Sequence, residues 1–183
     1  ARYPIVYLIS HEESRSIRLL RQVVQAEHME LWVWRSSDGL NGEACTATEA
    51  LTRLASYDEP TLLVFLDAHQ DWKDVHWIRK IRDESQGMVQ KGHAVFLISP
   101  KYDLPLELEK FVTPLDVPLP SSEEVHRLFS FFCQQQDLQL PSPLFQQFVQ
   151  GALGLTESEI KRMYSRIALV GNGFTQADLA LQV

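Results

Sequence analysis

Apolar positions fall along this chain in two rhythms. Short runs without a polar break alternate with longer stretches in which apolar residues recur every three or four positions. The first rhythm predicts buried strands and the second predicts amphipathic helices. The unbroken runs are Pro4–Ser10 (PIVYLIS), Leu31–Trp34, Thr61–Leu66 (TLLVFL) and His93–Ser99 (HAVFLIS). A fifth strand is expected over Val112–Leu119, where Leu115, Val117 and Leu119 alternate with other residues. Its Pro114 and Pro118 lack the amide that a central strand needs, so this strand belongs at a sheet edge.

Helix signals fill the gaps. Ser10-His11-Glu12-Glu13 fits a capping box, with Ile17, Leu20 and Val24 following at helical spacing. Thr46 with Glu49 and Ser121 with Glu124 repeat that pattern. The stretch after Leu66 predicts a long helix, capped by Asp71 or Asp74 and stopped by Gly87 or Gly92, with Val75, Ile78 and Ile81 inward. Pro105–Lys110 reads as a short helix. Gln134–Pro143 is polar and proline-bearing, the best linker in the chain. After it the strand signal stops, and helices are expected over Leu144–Leu153, Thr156–Val170 and Thr175–Leu181. Strand–helix alternation followed by helices alone predicts an α/β fold. It is a five-stranded, mostly parallel sheet with helices on both faces, then a small helical subdomain. The expected domains are 1–136 and 144–183.

Composition narrows the partners. The chain has 183 residues, 45% of them hydrophobic and 22% charged, as in ordinary globular proteins. A net charge of −7 argues against a nucleic-acid partner held by bulk electrostatics. No apolar run approaches the roughly 20 residues that span a bilayer. Cys45 and Cys133 form neither a metal motif nor a disulfide framework, so a reducing compartment is expected. The chain begins without Met, close to its first strand, and reads as a piece of a longer protein. Arg15, Arg18 and Arg21 form a stripe that is either a solvated face or an anion or subunit contact.

The central run ends on an acid, Asp67-Ala68-His69-Gln70-Asp71. The carboxyl ends of strands in open α/β sheets are where ligands bind. An apolar strand ending in Asp is the pattern that holds Mg²⁺ in nucleotide hydrolases, and a Glu usually follows it to polarise water. Here Ala68 stands in that place. Asp67 is therefore a residual nucleotide-site position, or an acid that caps the next helix or is solvated at the strand end. The phosphate-binding counterpart would be a Gly-rich turn with a Lys after the first strand. That turn reads Ser10-His11-Glu12-Glu13-Ser14, with no Gly and no Lys and two acids instead. A competing reading is a metal hydrolase. Asp67, His69 and Asp71 are similar to the DAHxD segment of the arginase-like enzymes, whose GGDH and D-x-D segments do not occur here.

A wider resemblance covers nearly the whole chain. His93–Phe129 resembles the later half of an AAA-type ATPase core, with Ser99 at the position called sensor 1. Gly173-Phe174-Thr175-Gln176-Ala177-Asp178-Leu179 is similar to the start of the last lid helix of such ATPases. ARYPIVYLISHEE, the Leu31–Trp34 strand and GLTESEIKRMYSRIAL resemble, more narrowly, one AAA family of cyanobacteria and algal plastids, named for hypothetical chloroplast open reading frame forty-six. The resemblance implies a degenerate AAA-like N-terminal domain, without its own hydrolysis and with 144–183 as a helical lid. It also implies an ATPase domain beyond Val183. Asp67 and Ser99 would be the residual nucleotide-site positions, with no cofactor in this part and Mg-ATP in the following domain. Protein partners or ring subunits, and a place in the cyanobacterial cytosol or plastid stroma, are implied likewise. The alternative is a residual nucleotide- or metal-dependent hydrolase using Asp67.

Overall fold

The computed structural model describes residues 3–170. They form two compact units that divide between Val117 and Pro118. The first unit contains β1 (Ile5–Ile9), α1 (Glu13–Ala26), β2 (Glu30–Arg35), β3 (Gly39–Leu40) and α2 (Ala47–Ser56). It continues with β4 (Thr61–Leu66), α3 (Val75–Lys91), β5 (Ala94–Ser99) and β6 (Val112–Asp116). The strands lie in the order β3-β2-β4-β5-β1-β6. Every pairing is parallel except β2 with β3.

The sheet therefore has six strands where the sequence predicts five. The addition is β3, a two-residue hairpin partner whose Leu40 and Gly39 pair with Trp34 and Arg35. Two residues carry no periodicity, so no pattern announces them. Gly39 makes the turn at φ 77°, and a Cβ there would overlap the Glu43 carbonyl oxygen. The Asn41 side chain accepts a hydrogen bond from the Val33 amide at 2.9 Å, closing the hairpin.

Period-two alternation sorts the core onto two faces. Ile5, Tyr7, Leu63, Phe65, Val95 and Leu97 point to the face covered by α2 and α3. Val6, Leu8, Leu62, Val64, Leu66 and Ile98 point to the other, against Ile17, Leu20 and Val24 of α1. All six residues of β4 are buried, as a doubly covered strand requires. The crossover from β1 runs past β5 and β4 to reach β2, whereas β5 crosses β1 the opposite way to reach β6. Right-handed crossovers in opposite directions lie on opposite faces, so the chain reverses between β1 and β5. A crevice opens at the carboxyl ends of strands at such a reversal. The proline-bearing β6 is an edge strand, paired only with β1.

Two helix boundaries follow the expected side chains. Asp74 caps α3 through the amides of His76 and Trp77, and Gly92 ends it at φ 75°. Thr46 and Ser121 form complete capping boxes. The one expected at Ser10 does not form. Glu12 is the N-cap of α1 with no side-chain cap bond. The cause lies in the sheet. The Ser10 amide donates to the Ser99 carbonyl at 2.9 Å, which extends the β1–β5 ladder by one bond. Ser10 is held to the strand end, and the helix starts three residues later. Of the arginine stripe, Arg18 and Arg21 are exposed but Arg15 is buried, so the stripe is not one solvated face.

The second unit contains α4 (Ser122–Gln135), α5 (Ser142–Gly151) and α6 (Glu157–Val170). Val125, Phe129 and Cys133 of α4 share one core with Phe148, Val149, Ile160 and Tyr164. Phe129 is its hub, with its ring 4.6 Å from Tyr164 and 4.8 Å from Phe145. Thr156 and Glu159 exchange the bonds of a capping box at the start of α6. The expected helix over 175–181 and the lid-like segment at 173–179 lie outside the described residues.

Candidate functional site

Asp67, His69 and Ser99 meet at the carboxyl ends of β4 and β5. The Asp67 amide donates to the Ile98 carbonyl at 2.9 Å, so this acid stays tied to β5 after β4 has ended. Its backbone is left-handed, with φ 54° and ψ 28°. A non-glycine residue there is strained, and Asp tolerates it better than most. The bend starts a 3-10 turn over Ala68–Asp71, which swings His69 back over the sheet end. The His69 Nδ1 atom lies 2.7 Å from the Ser99 hydroxyl and 3.9 Å from Asp67 Oδ1. Ser99 is only 2% exposed. The two positions singled out in the sequence, Asp67 and Ser99, are thus brought together, with His69 between them.

Neighbouring groups close the same end of the sheet. The Tyr7 hydroxyl donates to the Lys101 carbonyl at 2.8 Å. Burial pushes the Tyr7 hydroxyl above its ordinary range, with a hydrogen bond to Ser99 working the other way. Trp72 Nε1 donates to the Asp103 carbonyl at 2.6 Å, and Tyr102 packs edge-on against Tyr7. These contacts hold the loop after β5 across the strand ends.

The phosphate position does not fit a nucleotide. Phosphate loops present bare amides from glycines, with a Lys for the terminal phosphates. Here the Ser10 amide bonds the Ser99 carbonyl, and the Ser10 hydroxyl accepts from the Glu12 amide at 3.0 Å. Two of the amides that a phosphate would use are therefore satisfied within the protein. The acids Glu12 and Glu13 stand at the N-terminus of α1, where their charge disfavours an anion. Ala68, in the place of the water-polarising acid, is 1% exposed.

Asp71 is not part of this cluster. It lies at the far end of the 3-10 turn and lines a separate pocket with Asp74. Burial, and then the nearby Asp74 charge, raise its carboxyl above the ordinary range. Asp67, His69 and Asp71 thus do not converge as a dinuclear metal site would require. Among the described residues, no group of three or more His, Cys, Asp and Glu is placed to hold a metal ion. Sequence reasoning missed the role of His69 as the link to Ser99, because the two are 30 positions apart. It also missed the Asp71 pocket, whose lining comes from three separate stretches, Trp34–Ser36, Cys45–Thr48 and Asp71–Trp77.

A doubly covered parallel sheet, with an acid and a buried serine at its central strand ends, defines an AAA-like α/β domain. Residues 1–117 match the family of SpoVK-like AAA ATPase N-terminal domains, and the chain belongs to it. Among curated proteins, it is 26% identical over 178 residues to the AAA domain-containing protein ycf46 of Trieres chinensis. That match covers 91% of this chain and 36% of the relative. The ycf46 protein of Guillardia theta is 24% identical over 177 residues, covering 91% and 35%. The chain thus spans about a third of the length of these relatives. Among solved structures, a chain of the E. coli HORMA:CdnC:Trip13 complex superposes with a TM-score of 0.64 and 19% identity, covering 99% of this chain and 73% of that one. The FIGL-1 AAA domain in complex with ADP superposes with a TM-score of 0.59 and 12% identity, covering 98% and 65%. These similarities show the AAA fold. No helix among the described residues is long and apolar enough to cross a membrane.

Proposed function

We propose that this domain is a degenerate AAA-like module that does not hydrolyse nucleotide. It serves assembly, partner binding or regulation of an ATPase domain that follows it in the chain. The observation that carries this reading is the β1–α1 turn. Its Ser10 amide and hydroxyl are both engaged within the protein, and two carboxylates occupy the first helical positions. Asp67 and Ser99 are then leftovers of a nucleotide site, recruited into the His69 contact that fixes the strand ends. Residues 144–183 would be the counterpart of a helical lid. Mg-ATP would be used by the following domain.

The length of the relatives supports a second domain, since about two thirds of each is unmatched by this chain. The plastid-encoded ycf46 relatives support a place in the plastid stroma, and the sequence resemblance alone supports the cyanobacterial cytosol as the other place. The HORMA complex of the E. coli neighbour supports protein partners, or ring subunits, as the kind of ligand.

Calorimetric titration of the 183-residue chain tests the reading, first with a non-hydrolysable Mg-ATP analogue and then with Mn²⁺ alone. No heat is expected in either case. Saturable heat with the analogue would make the domain a nucleotide sensor and overturn the proposal. Heat with Mn²⁺ alone would point instead to the metal-dependent alternative at Asp67.

A further inference from the structure

The turn that follows β3 carries a chemistry of its own. Leu40 and Glu43 exchange both backbone hydrogen bonds at 2.9 Å, so only Asn41 and Gly42 lie between them. Their φ angles are 51° and 90°. Two positive φ values in a two-residue loop mark a type I′ turn, and Asn-Gly is the sequence such turns favour. Asn41 also clips the hairpin onto β2. Its Oδ1 accepts from the Val33 amide at 2.9 Å, and its own amide donates to the Val33 carbonyl at 2.8 Å. Leu40 is buried beside the turn, whereas Asn41 and Gly42 are exposed.

Asparagine is a thermally labile residue, and glycine after it removes the obstacle to its decay. The Gly42 nitrogen attacks Asn41 Cγ, and a carbon–nitrogen bond forms between them. The Gly42 amide proton passes to solvent, and Asn41 Nδ2 leaves as ammonia. Water then opens the imide ring at either carbonyl, which gives aspartate or isoaspartate. The surroundings leave room for this. Among the described residues, the Gly42 amide donates no hydrogen bond. A Cβ built on Gly42 meets nothing within 4 Å, so the ring has open space. The closed turn nevertheless prevents the attack. The first central residue of a type I′ turn has ψ near about +30°, which sets its Cβ and the next nitrogen on opposite sides of the Cα–C bond. The bond from the Val33 amide to Oδ1 holds the carboxamide against β2, away from Gly42.

We propose that Asn41 is a spontaneous modification site gated by this hairpin. Ammonia is lost only when the turn opens, and isoaspartate then keeps it open. The two products act differently. Aspartate leaves the main chain as it was, and its carboxylate still accepts from the Val33 amide. Isoaspartate routes the main chain through the former side chain and lengthens it by one atom. The Leu40–Glu43 pair then no longer closes over the turn, and the Val33 N–H and C=O lose their partners. β2 becomes an open sheet edge, the kind that pairs with other strands. Leu40, 6% exposed and part of the core under α2 and α3, loses its anchor as well. None of these residues belongs to the nucleotide reading. The Mg-ATP titration and the experiment below therefore fail separately.

The full chain is incubated in mildly alkaline heavy-oxygen water. Asn41 is followed by peptide mapping, with fragmentation that tells isoaspartate from aspartate. Mapping is needed because Asn172-Gly173, outside the described residues, is a second such pair. A synthetic peptide of residues 36–46 gives the ungated rate. Asn41 in the folded chain is expected to react at least about tenfold more slowly than in the peptide, because local opening must come first. Denaturing urea should remove that difference. Gly39→Ala sets a Cβ against the Glu43 carbonyl oxygen and should speed the reaction in a chain of native circular dichroism. The urea series makes the same comparison without any variant. The chain converted in urea is then refolded. Its isoaspartate form should exchange the Val33 amide with solvent at least about tenfold faster than the parent, and Asn41→Asp should exchange like the parent. A folded chain that reacts as fast as the peptide would overturn the gate, and a peptide that forms no isoaspartate would overturn the site. Parental Val33 exchange in the isoaspartate form, or fast exchange in Asn41→Asp, would overturn the opening of the hairpin.

Discussion

The Ser99 hydroxyl and His69 Nδ1 lie 2.7 Å apart, although 30 positions separate them in the chain. Ser99 ends one central strand, and His69 sits just after its neighbour. The contact joins the carboxyl ends of two adjacent central strands, β4 and β5.

Ser99→Ala should therefore act on stability alone. The loss of a single buried hydrogen bond costs about 1 kcal/mol, somewhat more if the His69 nitrogen is left without a partner. Urea unfolding should show a lower midpoint with an unchanged slope. A new affinity for the Mg-ATP analogue in this variant would mean that the contact gates a nucleotide site.

Asp67 is held in the left-handed region, and its substitutions should report that strain. Asp67→Gly should match or exceed the parent in stability, because glycine adopts φ 54° freely. Asp67→Ala should lose about 1 kcal/mol by the same argument. Neither variant should change the background rate of ATP hydrolysis by the isolated chain. Loss of a measurable parental rate in both would restore Asp67 as a catalytic acid.

Two capping boxes give the fold an acid-sensitive component. Hydrogen bonds from the Thr46 and Thr156 backbones and hydroxyls hold Glu49 and Glu159 below the ordinary glutamate range. A depressed folded-state value means that the unfolded chain takes up the proton first. The stabilisation is complete above the unfolded glutamate value and fades as pH falls through the lower folded one. Thermal melts of Glu49→Gln and Glu159→Gln should converge on the parent below that window and fall beneath it near neutrality. Both groups are solvent-exposed, so the effect should shrink in high salt.

Tyr164 offers the opposite test. Its hydroxyl is buried in the helical unit without a hydrogen-bond partner, and burial drives its ionisation well above the ordinary tyrosine range. Tyr164→Phe keeps the ring packed on Phe129 and removes the unsatisfied group. Stability should stay level or rise by up to about 1–2 kcal/mol. A clear loss in urea unfolding would show that the hydroxyl has a partner in solution.

Much of the architecture is decided by local pattern. Unbroken runs such as Thr61–Leu66 are legible because a strand covered on both faces has no polar side to present. The capping boxes at Thr46, Ser121 and Thr156 are legible because each is completed within four residues. The AAA resemblance is legible for the same reason, since it rests on strand ends and turns with fixed spacing. The apparent box at Ser10 shows where local reasoning stops. Its residues are right, but a bond from the Ser10 amide to Ser99, far away in the chain, takes Ser10 out of the helix. The strand β3 is likewise decided by pairing with β2 and by the turn at Gly39, not by any rhythm of its own. So is the meeting of Asp67, His69 and Ser99, which needs parallel strands whose order differs from their order in the chain. Sequence can set which residues are buried and where helices begin, because those depend on neighbours a few positions away. Only the folded sheet can bring separate strand ends together, because the hydrogen-bonded ladder fixes which ends lie side by side.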